Sequence, residues 1–411
     1  MNPVHVTLNA KTPLSFRKGR DLAQAQTLDY VPGNALLGAL AEAHQAINGD
    51  AAGFADFFLA GTVQYANLYP ANFKADVLRS PAMPVFPLPL SARSCKRFSG
   101  FSFNSAAENE TRHGVTDTLI PLLFFNLGHQ TKFEIMDQAT RCPICSEPLI
   151  TFDGYYRRGL QSEQIGRSDT KSNHGLRTRT GIDYTTRTAA QGIFYSREVL
   201  LENSTFSGVC QVSNTALANW KSFVNKAVES DQIRVGNNRS RGLGLVKLNL
   251  GESVAEKREA LEARVRKFND FLRKKVQADA VDLQNLLYVP ITLTSDAILY
   301  DNLLRPQLGL DQDYLSNRLG FANSQAVLQI TGVRRITGWS TVWRMPKVDD
   351  LAIVMGSAFV ITFREDSPQI FDKLWSLQNE GIGSRRTEGF GQLRVASEFH
   401  YEHLEIKGGF R

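Results

Sequence analysis

Cysteine, methionine and tryptophan are all scarce in this chain: four, five and four residues among 411. Four cysteines cannot staple a chain of this length, which excludes a disulfide-built scaffold and leaves hydrophobic burial to hold the fold. No apolar run approaches the roughly 20 residues that a membrane-crossing helix needs. The opening MNPVHVTLNAKTPL lacks the basic-then-apolar plan of an export signal. A soluble cytoplasmic protein is therefore expected. Neither sign of charge dominates, since 47 Lys and Arg stand against 41 Asp and Glu. The resulting +6 is too little by itself to name a polyanionic partner. Hydrophobic residues at 42% and charged ones at 21% give the balance of a packed chain, long enough for two or three domains.

The positive charge that is present is unevenly placed. From Arg157 to Arg187 the chain carries Arg157, Arg158, Arg167, Lys171, Arg177, Arg179 and Arg187 against only Glu163, Asp169 and Asp183. Arg17, Lys18 and Arg20 form an early basic loop, and Arg239/Arg241 and Arg385/Arg386 sit beside glycines. This pattern assigns the positive charge to loops.

Periodicity divides the chain into two similar halves. VHVTLNA alternates and is β-branched, which predicts a first strand. In TLDYVPGNALLGALAEAHQAI, Pro32 and Gly33 break the chain, Asn34 is the expected N-cap, and Leu36, Leu37, Leu40 and Ala41 mark an apolar helical face. A strand is expected over 63–68. From about 90 to 191 the periodicity weakens, which predicts an insertion with local structure of its own. EVLLENSTFSGVCQV then reads as a strand pair, Thr215–Val228 as a helix, and IRVGNNRSRGLGLVKLNL as a glycine loop entering a strand. The charged helix expected over Ala255–Val276 would link the halves. Beyond it LLYVPITL, AVLQITGV, STVWRM and AIVMGSAFVITF read as strands and PQIFDKLWSLQ as a helix. A second glycine loop, GIGSRRTEGFGQLRV, closes the plan. The fold class expected is α+β: two ferredoxin-like or RRM-like domains, residues 1–250 and 281–411, joined by a helical linker over 251–280.

The two loops suggest what the repeat is for. Gly236-Asn-Asn-Arg-Ser-Arg-Gly-Leu-Gly244 and Gly381-Ile-Gly-Ser-Arg-Arg-Thr-Glu-Gly-Phe-Gly391 each follow a helix and precede a strand. Glycines allow positive φ and close backbone approach, consecutive N–H groups can form an anion nest, and arginines add phosphate donors. A lone loop of this kind is more often a tight turn, and neither is a P-loop or a dinucleotide fingerprint. Two copies with arginines favour a polyanion. The residues expected to contact it are Gly236, Asn238, Arg239, Ser240, Arg241, Gly242 and Gly244 in the first loop. Gly381, Gly383, Ser384, Arg385, Arg386 and Phe390 are their counterparts in the second. Arg17, Lys18, Arg20, Asn34, Arg177, Arg179 and Arg187 complete the set. Phe98, Phe101 and Trp339 are further stacking candidates, but most aromatics are core; Phe390, between two glycines, is the one poorly placed for burial.

GNNRSRGLGLV and GIGSRRTEGFGQL resemble the glycine-rich loops of the RAMP superfamily, the RRM-like proteins of CRISPR systems. LDYVPGNALLGALA resembles the segment that opens the first helix in that family, and RTRTGIDYTTRTAAQGIFYSREVLLENSTFSG its central segment. The combination is most similar to a type III-D subunit of the group that holds the 5′ handle of the guide RNA. The resemblance implies a cytoplasmic, non-catalytic RNA-binding subunit that grips the crRNA backbone. Its partners would be crRNA, nearby target RNA, the large polymerase-like subunit and backbone RAMP subunits.

Within the insertion, CPIC at Cys142 and Cys145 is a zinc knuckle by type and spacing. A closed structural Zn2+ site needs two more ligands. Cys95 in RSCKRF and His113 in RHGVTD are the expected completion, a choice the resemblance supports because similar HGV-and-knuckle insertions occur in the family. His129 and His174 are the substitutes, and Cys210, in a strand, is expected to be buried.

Candidate catalysts are few. His5 matches the region where guide-processing relatives use a histidine, but it falls in a regular strand without an obvious partner. Asp21 beside Arg20 has the position of a target-cleaving aspartate, yet surface aspartates beside arginines are usually solvated pairs. Asp29 is expected to fix the turn, and His174 to touch RNA without chemistry. The expectation is that no residue is catalytic. An endoribonuclease working through His5 or Asp21, and a mainly protein-docking subunit, are the alternatives.

Overall fold

The computed structural model describes residues 1–19, 26–49, 53–80, 83–102, 111–128, 140–159, 161, 164–170, 173–231, 233–252, 256–275, 286–321, 324–340, 344–364 and 367–402. The fold is mixed α+β and is organised by two larger antiparallel sheets. The first contains β1 (Asn2–Ala10), β2 (Val63–Gln64), β3 (Thr205–Val212) and β4 (Val246–Glu252), with α1 (Gly33–Asn48) after β1 and α2 (Leu217–Glu229) after β3. Its spatial order is β4-β1-β3-β2. After α3 (Arg258–Lys275), the second sheet contains β5 (Leu287–Leu293), β6 (Gln325–Ile330), β7 (Ala358–Phe363) and β8 (Leu393–Val395). There α4 (Pro368–Glu380) lies between β7 and β8, and the spatial order is β6-β7-β5-β8. Numbered within their own halves, the strands stand in the same order.

Alternation along β1 turns Val4, Val6, Leu8 and Ala10 onto Leu36, Leu40, Trp220 and Val224 of α1 and α2, forming the first core. His5 faces the other way. The second sheet is buried on both faces. Val289, Ile291, Phe359 and Ile361 meet Leu374 and Leu377 of α4, whereas Tyr288, Ala358 and Val360 meet Leu119, Leu123 and Phe124 of a helix over Leu119–Leu127. That helix belongs to the stretch between β2 and β3, so a segment inserted in the first half covers the sheet of the second. In α3, Leu261, Val265, Phe268 and Leu272 form one stripe, each burial contributing roughly 1.5–3 kcal/mol. The helix is thus packed on the second sheet. The expected bounds Ala255 and Val276 lie outside the described residues.

Several local expectations are corrected. Asn34 is not the N-cap, because α1 begins at Gly33 after Pro32. The Gly33 N–H is satisfied instead by the Asn67 side chain, whose Oδ1 accepts at 2.8 Å. The strand expected over 63–68 is only Val63–Gln64, followed by Tyr69–Pro70, because the Tyr65 N–H is given to the Thr387 carbonyl at 3.1 Å instead of to the sheet. The expected strand AIVMGSAFVITF is two, Asp350–Ile353 and β7, parted at Gly356 with φ +83°. The arginines of 157–179 stand largely on strands, over Tyr155–Arg158, Ile165–Arg167 and His174–Ile182, and not in loops.

Candidate nucleic-acid interface and metal centre

The first glycine loop is a chain of left-handed residues around one 3-10 turn. Gly236, Asn238, Gly242 and Gly244 all have positive φ, and the turn spans Arg239–Arg241. The second loop repeats this position for position with Gly383, Arg385, Gly389 and Gly391 around Arg386–Glu388. The same hydrogen bonds recur. Val235 N donates to Gly244 O at 2.8 Å, and Ile382 N to Gly391 O at 2.9 Å. Asn237 N donates to Ser15 O, and Ser384 N to Ile298 O, both at 2.9 Å. The counterpart of Gly236 is therefore Gly383, and Gly381 is the residue that ends α4.

The two loops have different surroundings. Beside the first runs a two-stranded hairpin, His174–Ile182 with Ala189–Leu200. Its register sets Arg177 opposite Arg197 and Arg179 opposite Tyr195, and this face lines a cleft with Asn238, Arg241 and Leu243. Arg179 donates to the Arg241 carbonyl at 2.9 Å, and Arg241 to the Tyr195 hydroxyl at 3.0 Å. Two guanidiniums directly opposite on a ribbon repel one another. Burial holds Arg197 below its ordinary pKa, and Arg17, Arg241 and Arg179 push the same way. Glu202 lies 3.4 Å from Arg177 and partly offsets the charge. Arg17 and Lys18 are exposed beside this face, Arg187 is exposed at the hairpin turn with φ +53°, and Arg239 is paired with Glu42 of α1. Ser240 lies within the 3-10 turn.

The second loop is turned inward against the first half. Its Gly389 packs on Gly33, Tyr65 and Asn67, and Arg385 bonds Asp350 at 2.8 Å and Glu388 at 2.7 Å while covering the Phe390 ring at 4.8 Å. Phe390 is thus half-buried beneath an arginine. Arg386 remains exposed and lines a groove of about 710 Å³ with Ser384 and Gly383. Of the other aromatics, Phe101 is core, the Phe98 ring lies tilted with its centroid 4.5 Å from that of His113, and Trp339 stands exposed. Arg20, Asp21, His129 and Lys171 lie outside the described residues.

Part of the basic run is consumed internally. Arg157 is buried, donating to Leu78 O and Ser207 Oγ over the Phe73 ring, and burial lowers its pKa to about 10. Arg158 pairs with Glu402 and Arg167 with Asp153. Arg197 and Tyr195, absent from the expected contacts, line the same cleft, because their period-2 spacing matches Arg177 and Arg179 once the hairpin register is known.

His5 is buried, with Nε2 2.8 Å from Ser207 Oγ, and burial together with the nearby Arg157 lowers its pKa to about 4. Asp29 accepts from the Tyr155 hydroxyl at 2.9 Å, and His174 pairs with Glu198 at 3.0 Å.

Cys95, His113, Cys142 and Cys145 come together, with all four ligand atoms within 4.8 Å of one another. Cys95 Sγ lies 3.5 Å from Cys145 Sγ, and Cys142 Sγ 3.4 Å from His113 Nδ1. Three sulfurs and one imidazole at these separations could hold a single metal ion. Cys95 comes from a strand over Ala92–Cys95 and His113 from the run before Val115–Asp117, which pairs with it, so the sheet delivers both beside the knuckle. Cys210 is buried in β3 and apart from the cluster.

The chain belongs to the RAMP superfamily, whose family model matches residues 7–247. No curated protein matches it. Among solved structures it is similar to a chain of the type III-B Cmr-beta complex bound to cognate target RNA, at 12% identity and TM-score 0.40 over 95% of this chain and 96% of that one. A chain of Cmr-beta bound to cognate target RNA and AMPPnP matches at 13% identity and TM-score 0.36, covering 90% and 93%. A chain of the Csm3-Csm4 subcomplex of the type III-A CRISPR-Cas interference complex matches at 14% and 0.35, covering 88% and 92%. No helix among the described residues is long and apolar enough to cross a membrane.

Proposed function

We propose that this chain is a non-catalytic RNA-binding subunit of a type III CRISPR ribonucleoprotein that grips the crRNA backbone at its 5′ repeat-derived handle. Membership of the RAMP superfamily and the two matched glycine loops support the class. The shared strand order of the sheets supports reading residues 1–250 and 281–411 as two RRM-like domains. One observation carries the RNA contact: Arg177, Arg179, Arg197 and Arg241 converge with Tyr195 on the first loop. Repulsion among these cations is relieved by a polyanion, and the tyrosine offers a ring to a base. Arg17, Lys18, Arg187 and Arg239 extend the path. In the second loop, Ser384 and Arg386 are the exposed contacts.

The donor set of the Cys/His cluster suits structural Zn2+, which prefers thiolate and imidazole in a closed tetrahedron. Cys95, His113, Cys142 and Cys145 would hold it, and its role is to fix the fold of the knuckle. A non-catalytic role is supported by His5, whose ring is buried against Ser207. The reverse face of the hairpin, with Leu176 and Phe194 exposed, favours contact with neighbouring subunits, among them the large polymerase-like subunit and backbone RAMP subunits. A cytoplasmic particle with target RNA nearby is the setting this reading implies.

Purification from cells co-expressing its neighbours tests the proposal. Short RNAs sharing one 5′ end are expected with the wild-type particle, and they are lost with R197A/R241A. An RNA-free wild-type protein would overturn it.

A further inference from the structure

Each half carries a β-hairpin between the second and third strands of its sheet. In the first half it spans 174–200, between β2 and β3; in the second, Val333–Ile336 pairs with Asp350–Ile353, and Trp339 with Pro346, between β6 and β7. Each hairpin is tied to its own half's glycine loop. In the first, Arg179 donates to the Arg241 carbonyl; in the second, Arg385 donates to Asp350, and Lys347 lies 3.5 Å from Glu388. The loops repeat position for position, and each is tied to its hairpin by contacts of its own.

The second hairpin has a surface the core does not explain. Trp339 is 59% exposed, an unusual state for the largest apolar side chain. Arg335, Arg344 and Lys347 are exposed on the same hairpin. Asp349 pairs with Arg335 and Glu388 with Lys347, while Asp350 bonds Tyr300 and Arg385. A presented indole with exposed cations along the same hairpin is what a single-stranded nucleic acid meets on a stacking platform, because every base has a π-face and every linkage a phosphate.

We propose that this second hairpin is a second single-stranded RNA contact, where Trp339 stacks on a base and Arg335, Arg344 and Lys347 meet phosphates. The inference rests on the RNA-binding reading above and extends it to the other half. Gly389 packs on Gly33 and Arg239 pairs with Glu42, so the two loops meet α1 about 14 Å apart along its axis.

The test uses the full chain and a fluorescently labelled single-stranded RNA carrying 4-thiouridine. W339A is expected to bind about tenfold more weakly and W339F to retain most of the affinity. R335A/R344A should flatten the dependence of affinity on salt, and crosslinks should map to the peptide containing Trp339. Unchanged binding and no crosslink at Trp339, with R197A/R241A still impaired, overturns this inference and leaves the first site standing. If R197A/R241A is also unimpaired, the RNA-binding reading itself fails. A W339A chain that loses a neighbouring subunit while binding RNA normally also overturns it, in favour of a protein-docking hairpin.

Discussion

Gly33 and Gly389 meet backbone to backbone: a Cβ on Gly33 would stand 2.9 Å from Gly389 Cα, and one on Gly389 would stand 3.1 Å from Gly33 Cα. This contact seats the second glycine loop against the start of α1. It also sends the Tyr65 N–H to Thr387 and leaves Asn67 to cap the helix. The Pro-Gly turn and the second loop are therefore one joint between the halves.

Either G33A or G389A should open that joint. Gly389 also has φ +92°, which L side chains rarely adopt, and the atoms in the way are backbone. A loss of about 1–3 kcal/mol is expected from overpacking alone. Denaturant unfolding measures it, and G38A, at a helical position with open space around it, should cost nothing comparable.

Charge at the first hairpin should appear in the salt dependence. Removing Arg197 and Arg241 takes away two of the proposed phosphate donors, so the slope of log K against log salt should fall by roughly 0.7 for each single-strand phosphate no longer neutralised. Fluorescence anisotropy over a salt series reads this. An unchanged slope would place the phosphates elsewhere.

Metal content checks the knuckle. The wild-type chain should carry about one zinc ion, and C142S or C145S should lose it. Hydrogen exchange should then rise across Ala92–Cys95 and Val115–Asp117, the strands that deliver Cys95 and His113. Exchange that stays unchanged after the metal is removed would make the ion incidental to the fold.

His5 predicts a particular acid sensitivity. Its folded pKa, about 4, lies below the ordinary value of 6.5, so the unfolded chain binds more protons between those limits. The stability conferred by burying the neutral ring is complete above pH 6.5 and is lost as pH falls towards 4, on the order of 3 kcal/mol in all. H5Q should flatten this part of the stability–pH profile. A wild-type profile as flat as that of H5Q would show that the ring is not buried neutral.

Much of this protein was legible in local sequence. Period-2 alternation marked β1 and the closing strands, a continuous apolar run marked β5, and helical periodicity marked α1, α2 and α4, because burial on one face or on both imposes those patterns. The paired glycine loops were legible because left-handed backbone selects glycine and asparagine at fixed offsets. The CPIC spacing pointed to the Cys/His cluster that could hold a metal ion.

What the tertiary structure alone decided were the partnerships between distant segments. Cross-strand register set Arg197 beside Arg177, burial withdrew Arg157 from the basic surface, and packing turned the second loop inward against Gly33. Asn67 replaced Asn34 as the cap, and the helix over Leu119–Leu127 crossed to the other half's sheet. Sequence periodicity reports which face of an element is buried, because that depends on neighbours a few residues away. It does not report what that face is buried against, because that depends on chain brought from far along the sequence.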